Sequence, residues 1–135
     1  MVTGAAAILK AARPELSARE IKQLLINTGD SNIYQPSASA SVFPDQLAPI
    51  TRIGGGEVRV DRALLSPALV RDVTGDAVSA VYGAVSFGYL DAFNNSHSFT
   101  RVLSVENKSG KAQTYTVRPT MRYQDDKDTN AVHVD

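Results

Sequence analysis

The chain has 135 residues, which is enough for one ordinary domain or two small ones. Its fourteen basic and fourteen acidic residues cancel, so no overall field attracts nucleic acid or an anionic membrane surface. It contains no cysteine, which excludes disulfides, a thiol nucleophile and zinc sites built on thiolates. The longest uncharged apolar stretch, residues 4–9, is far shorter than the roughly 20 residues of a membrane-spanning helix, so no membrane partner is expected.

Residues 2–28 are predicted to form a helical hairpin. Residues 2–12 are rich in alanine, which favours a helix because alanine loses the least conformational freedom on entering one. Arg13 precedes Pro14, and a residue in that position is pushed out of the α conformation. The first helix is therefore predicted to end at this pair.

The start of the second helix is predicted by the segment PELSAREIKQLLINTGD. Ser17 and Glu20 have the spacing of a capping box, in which each side chain bonds the backbone N–H of the other residue. Leu16 and Ile21 occupy the two positions of a hydrophobic staple. Gly29 is suited to close the helix, because glycine adopts the left-handed conformation without strain.

The middle of the chain is predicted to be irregular. Residues 30–52 contain three prolines separated by serine and alanine and show no sustained period, so they are predicted to be a loop or an insertion. The next segment, GGGEVRVDRALL, begins with a glycine turn. It continues with an alternation through Val58 and Val60 and predicts a short helix from Asp61.

The period changes to two after a predicted linker at residues 67–83. Apolar and polar residues then alternate from Ala84 onward, most regularly over residues 115–123, which is typical of half-buried antiparallel strands. Pro119 restricts the last of these strands to a sheet edge or a bulge. Residues 107–111 have the composition of a hairpin turn. The pattern predicts the first strands of a β-sandwich that is unfinished at the end of the chain.

The first thirty residues closely resemble the stretch just downstream of the catalytic serine in subtilisin-like serine peptidases, the subtilases. In that family a Gly-Thr-Ser-Met-Ala motif starts a buried helix, which a Pro-x-Val-x-Gly-Ala-Ala run continues. The segment PELSAREIKQLLINTGD is similar to the family's Pro-x-Leu-Ser-x-x-x-Ile-Lys-x-x-Leu-x-x-Thr-Ala stretch, with Gly29 where alanine is usual. The residues that match the first run are Val2, Gly4, Ala5 and Ala6.

Two later segments extend the resemblance. The segment RIGGGEVRVDRALL is similar to the family's closing Gly-x-Gly-x-Val stretch, in which a glycine turn leads into the last strand and helix of the catalytic domain. Residues 84–123 resemble the fibronectin type III-like domain that follows the catalytic domain in large multidomain subtilases. Residues 30–52 match no segment of the family. The residues that carry the glycine-turn match are Gly54, Gly56, Val58, Asp61 and Ala63.

The resemblance implies an α/β fragment, the C-terminal helical hairpin of a subtilisin-like domain, followed by an incomplete all-β fibronectin type III-like sandwich. The implied boundaries are residues 1–66 for the peptidase segment, 67–83 for the linker and 84–135 for the sandwich. In the family register the nucleophilic serine would precede Met1, and the histidine and aspartate of the triad would come earlier still. No catalytic, cofactor-binding or metal-binding residue is therefore expected in this chain.

The implied function belongs to a parent enzyme, a secreted or cell-surface serine endopeptidase that hydrolyses peptide bonds through a Ser/His/Asp triad. Its expected partners are protein or peptide substrates, with no nucleic acid and no membrane, and this chain is expected to be inactive. No cofactor is implied for the chain, although some subtilases bind calcium. The alternative is a non-catalytic accessory module that binds a protein partner.

Two groups of polar residues are interpreted as surface features. His97 and His133 have no serine and acid arrangement recognisable from sequence, so solvated polar roles are predicted. The spacing of a calcium loop occurs at Asp126, Asp128 and Asn130, but an alanine follows where an EF-hand needs glycine, so an exposed acidic loop is predicted.

A pair of arginines near two tyrosines raises the question of stacking on nucleic acid. Arg118 and Arg122 alternate with Tyr115 and Tyr123, which places the arginines and the tyrosines on opposite faces of the predicted strand. The tyrosines are therefore predicted to be part of the core.

Overall fold

The computed structural model describes residues 1–35, 46–74, 83–88, 96–123, 128–129 and 132–134. Within these residues the chain forms four helices and two small antiparallel sheets, so the fold is mixed α and β. The two sheets pair β1 with β2 and β3 with β4. The helices are α1 (Val2–Ala12), α2 (Ala18–Asn27), α3 (Ile50–Ile53) and α4 (Val60–Leu65). The strands are β1 (Tyr34–Gln35), β2 (Gln46–Leu47), β3 (Ala68–Asp72) and β4 (Leu103–Asn107).

The predicted helical hairpin is confirmed. α1 ends at Ala12, directly before the predicted stop, and α2 begins at Ala18. In the turn between them, the Lys10 ammonium donates to the carbonyl oxygens of Pro14 and Leu16, at 2.7 Å in both cases. These bonds satisfy carbonyl groups that no helix partner reaches, and they fix the direction in which the chain enters α2.

The capping box at the start of α2 is also confirmed. The Glu20 amide donates to Ser17 Oγ at 3.3 Å, and the Ser17 amide donates to the Glu20 carboxylate at 2.7 Å. The other carboxylate oxygen of Glu20 accepts from Lys108 Nζ at 2.6 Å. The bond from Lys108 first, and those from Ser17 next, lower the pKa of Glu20 from its usual 4.5 to about 2. The helix start is thus bonded to the turn that follows β4.

One hydrophobic core lies where α1, α2, α4 and β3 meet. Leu9 of α1 and Ala63 of α4 are both fully buried, and the short side chain of the alanine lets the two helices approach closely. Leu16 and Ile21, the predicted hydrophobic staple, both belong to this core. Its other buried members are Ala5, Leu24, Leu25 and Leu69.

The chain after α2 differs from the prediction at Gly29. The helix ends at Asn27, and the amide and hydroxyl of its C-cap residue Thr28 both donate back into the helix, so no left-handed glycine is needed to close it. Gly29 instead lies against the backbone of Gly55, and a Cβ atom placed on Gly29 would overlap the Gly55 carbonyl oxygen. Beside this contact, Asp30 and Glu57 form an antiparallel bridge with two N···O distances of 2.9 Å. Close packing, not backbone conformation, requires this glycine.

The predicted glycine turn and the short helix after it are confirmed. Gly54 has φ 53° and Gly56 has φ 90°, both in the region that favours glycine, and α4 begins one residue before Asp61. The predicted insertion at residues 30–52 contains β1, β2 and α3 within its described part.

Residues 67–83, predicted to be a linker, contain β3 and are attached to α2. Leu69 of β3 is buried in the core. The Val70 amide donates to Asn27 Oδ1, and Asn27 Nδ2 donates to the Gly83 carbonyl oxygen, both at 2.8 Å. Within the described residues, this segment is therefore held against the helices at both ends.

The described residues do not form the predicted β-sandwich. β4 lies in the expected region and pairs with β3 along its whole length, with Val70 opposite Val105. Leu103 and Val105, two apolar residues of β4, are 48% and 45% exposed. Residues 111–120 are exposed and belong to no strand. A lone strand without a hydrogen-bonded neighbour is not stable, and the described chain supplies none to this segment.

Replacing Gly29 with alanine should destabilise the protein by about 1–3 kcal/mol, because the new methyl group overlaps the Gly55 carbonyl oxygen. The matched control is Gly4→Ala. A Cβ atom on Gly4 meets nothing within 4 Å, and alanine is the better helix former, so this variant should gain up to about 1 kcal/mol. Urea denaturation measures both changes, and equal effects of the two substitutions would contradict the packing argument.

Acid should destabilise the protein through Glu20. The pKa of this carboxyl is lowered on folding, so its contribution to stability is complete above its usual pKa of 4.5 and is lost as the pH falls toward 2. The variant Glu20→Gln keeps an acceptor for the Ser17 amide and cannot ionise, so its urea midpoint should change less over this interval. Lys108→Met should flatten the same slope in part. An identical acid slope in wild type and Glu20→Gln would refute this assignment.

Candidate functional site

An open groove of about 340 Å³ lies between α1, α2 and the glycine turn. Its described lining contains no aspartate, glutamate, serine or histidine, and its mainly aliphatic walls can bind an apolar group. Lys22 is the one charged residue among the described lining residues. The described lining residues are Val2, Ala6, Ala18, Ile21, Lys22, Leu25, Ile26, Gly55, Gly56 and Val58.

The helical walls follow from the spacing of residues on the two helices. Val2 and Ala6 are one turn apart on α1, and Ile21 and Leu25 are one turn apart on α2, so each pair lies on a single face. Ile21 and Leu25 are buried, whereas Val2 is 59% exposed. The groove is therefore well packed on the side of α2 and open along the first turn of α1.

The third wall of the groove is formed by backbone atoms of the glycine turn. Gly55 lies close enough to Ile26 that a Cβ atom on the glycine would be 3.4 Å from the isoleucine side chain. Gly56 has φ 90°, and a Cβ atom there would meet the carbonyl oxygen of Asp30 at 2.5 Å. Gly55 and Gly56 therefore serve close contact with α2 and with the chain that follows it.

A charge cluster lies beside the glycine turn. Asp30 accepts from Arg62 at 2.9 Å and from Arg59 at 3.3 Å, and Arg59 also binds Asp61 at 2.7 Å. The pKa of Asp30 is lowered, first by the backbone bond from Asn32 and then by the two arginines. The pKa of the Asp61 carboxyl is lowered by the hydrogen bond from Arg59. Two cations and two anions compensate each other here, and the cluster ties α4 to the chain that follows α2.

The two histidines lie away from the groove lining. His97 is exposed and stacks on Phe99, with ring centroids 6.2 Å apart. His133 is also exposed. Phe99 in turn contacts Phe87 at 5.7 Å between centroids, so His97 is part of a small surface cluster of rings.

The acidic segment interpreted as an exposed loop falls mainly outside the described residues. Asp126 and Asn130 lie outside them, and Asp128 is described and exposed. Within the described part of the chain, no group of three or more histidine, cysteine, aspartate or glutamate side chains could hold a metal ion.

The prediction that Tyr115 and Tyr123 are core residues is wrong. They are 40% and 37% exposed, because residues 111–120 pack on no second sheet within the described chain. Arg122 and Tyr123 are also not on opposite faces, since the guanidinium carbon of Arg122 lies 5.9 Å from the Tyr123 ring centroid.

Sequence reasoning missed three polar residues that hold distant segments together. Asn27 binds both ends of the segment after α4, Lys108 binds Glu20, and Arg122 binds the base of the insertion. The partners in the last two cases are 74 to 91 positions away along the chain. One local signal was available for Asn27, because a polar residue in the last turn of a helix often bonds neighbouring backbone.

Searches against known proteins give no support for any family. No protein-family model matches the chain, and no curated protein or solved structure matches it significantly. Among the described residues, no helix has the length and apolar character needed to cross a membrane. The resemblance to subtilases therefore depends on the quoted motifs.

The open side of the groove should bind an uncharged apolar dye such as Nile red. Val2→Lys places a charge at the opening and should reduce the fluorescence enhancement to roughly half or less. The control Ile50→Lys changes a residue that is 64% exposed on α3 and does not line the groove. The dye is titrated against wild type and both variants, and the fluorescence enhancement is compared. Equal losses in the two variants, or no enhancement in wild type, would contradict this interpretation of the groove.

Proposed function

We propose that this chain is the C-terminal part of a secreted or cell-surface subtilisin-like serine endopeptidase. The parent enzyme would hydrolyse peptide bonds in protein or peptide substrates through a Ser/His/Asp triad located upstream of Met1. The chain alone would not cleave peptides, because it would lack the nucleophile, the general base and the orienting carboxylate. Its role in the enzyme would be to fix the position of the helix that follows the serine.

The main support is a direct contact between two segments of the chain, each of which resembles a different part of the family's catalytic domain. Residues 1–30 and the glycine-turn segment are joined by the insertion, which matches no family segment. They nevertheless meet backbone to backbone at Gly29 and Gly55, and the bridge between Asp30 and Glu57 continues that contact. Ala63 then brings α4 against α1. Such packing of the two segments against each other is expected if both derive from the same domain.

Further support comes from the uncovered side of α1. Ala5 and Leu9 face the core, whereas Val2 and Ile8 are 59% and 53% exposed. In the proposed parent, a parallel sheet would cover such an alanine-rich helix on the remaining side. Helices with apolar residues on more than one face are typical of the buried helices in α/β domains.

The first turn of α1 suits a position next to a reacting centre. It contains no acidic residue, and the N-cap Met1 makes no side-chain hydrogen bond to it. The positive end of the helix dipole is therefore not neutralised by a carboxylate in its own first turn. In the proposed enzyme this end would lie close to the serine, where a preorganised positive field stabilises developing negative charge.

A non-catalytic module that binds a protein partner is the second candidate. The apolar groove favours it, since open apolar surface of this kind is common at binding sites. The two candidates differ in what precedes Met1. The peptidase requires an in-frame Gly-Thr-Ser-Met-Ala motif in the coding sequence, whereas the binding module does not.

A serine-directed fluorophosphonate probe separates the two candidates. The 135-residue chain should not be labelled, because the proposal places the nucleophile outside it. A chain extended upstream to include the complete catalytic domain should be labelled, and serine→alanine in the upstream motif should abolish the label. In-gel fluorescence reports all three results. Labelling of the short chain, or an upstream sequence without the motif, would overturn the proposal.

A further inference from the structure

Arg122 binds three backbone carbonyl oxygens that converge on its guanidinium group. Its Nε and Nη2 donate to the Ala48 oxygen at 3.1 and 2.7 Å. Its Nη1 donates to the Ser31 oxygen at 2.5 Å, and its Nη2 also reaches the Ile33 oxygen at 3.3 Å. The side chain therefore makes four hydrogen bonds to three acceptors, and one face of the group also lies near the Tyr123 ring.

The three oxygens belong to the two segments at the base of the insertion, which we call its stems. Ser31 and Ile33 lie in the first stem, and Ala48 lies in the second stem. The two stems are paired to each other. The Ala48 amide donates to the Ile33 carbonyl oxygen at 2.8 Å, and the adjacent strands β1 and β2 continue the pairing. Arg122 thus bonds the base of the insertion from outside, at a point where both stems meet.

The arrangement fits a guanidinium group better than an ammonium group. A guanidinium carries five N–H donors in a rigid plane, so it can serve several acceptors spread around its edge without rotamer changes. Lysine would bring a single compact donor group with a different geometry. Hydrogen bonds from a charged donor are also stronger than those between neutral groups, so these bonds should contribute measurably to the order of the loop base.

We propose that the Ser31, Ile33 and Ala48 carbonyl oxygens form a guanidinium-binding site, and that Arg122 is its resident ligand. In this role, Arg122 is a strap through which the region after β4 holds both stems of the insertion in place. The exposed segment of residues 111–120 leads to the strap, so the base of the insertion depends on a part of the chain that is distant in sequence. This inference does not depend on the proposed peptidase function.

Hydrogen exchange of the Ala48 amide tests the strap, because this amide bonds across the two stems. In Arg122→Ala its exchange should become about 10- to 100-fold faster, and the amides of β1 and β2 should follow it. The amides of α2 should keep wild-type rates. Millimolar methylguanidinium should restore protection of Ala48 in the variant, whereas methylammonium at the same concentration should not.

Two further variants complete the experiment. Arg122→Lys keeps the charge and should lose most of the protection, which also provides a readout if the alanine variant does not fold. Arg118→Ala changes an exposed arginine in the same segment and should leave the exchange of Ala48 unchanged. Unchanged exchange of Ala48 in Arg122→Lys and Arg122→Ala would overturn the proposal. Equal rescue by methylammonium would also overturn it, as would an equal acceleration across α2.

Discussion

The backbone contact between Gly29 and Gly55 determines how the first half of the chain is arranged. It brings the end of α2 and the glycine turn to a separation that no side chain permits. The bridge between Asp30 and Glu57 follows directly, and α4 then starts where Ala63 can pack against Leu9. The insertion connects these segments but does not determine their distance. The absence of a Cβ atom on Gly29 therefore permits the close approach that accompanies the shared core of α1, α2 and α4.

In the described part of the chain, the second half is attached to the first half by polar bonds and through Leu69. Leu69 contributes to the core, and Asn27, Glu20 and the loop base provide further attachment through hydrogen bonds. Such bonds are directional, so they define position more strictly than apolar contact does. The predicted division at residues 67–83 stays a prediction, and within that range β3 packs on α2.

Local signals allowed the sequence to predict α1, α2 and α4, but neither α3 nor the pairing of the strands. The capping box depends on residues three positions apart, and the stop before Pro14 depends on adjacent residues, so both can be recognised in a single segment. β3 was missed because Leu69 is its only buried apolar residue, so the strand shows no alternation. Residues 115–123 do alternate, but alternation becomes a strand only when a neighbour completes its hydrogen bonds. The groove and the Arg122 site could not be predicted, since their residues come from segments that only the fold brings together.

The proposed role of α1 explains why its two sides differ. A helix that positions a reactive group must be fixed against a core, because small displacements of a catalytic group are costly in rate. Ala5 and Leu9 provide that fixed side through α2 and α4. The opposite side must accept further structure, and small or apolar exposed residues such as Ala7 and Ile8 allow close packing there. A helix serving only as a surface element of a binding module would gain from charged residues at these positions, yet Lys10 is the only charged residue of α1. The distribution of charge along this helix therefore favours a buried support over an exposed one.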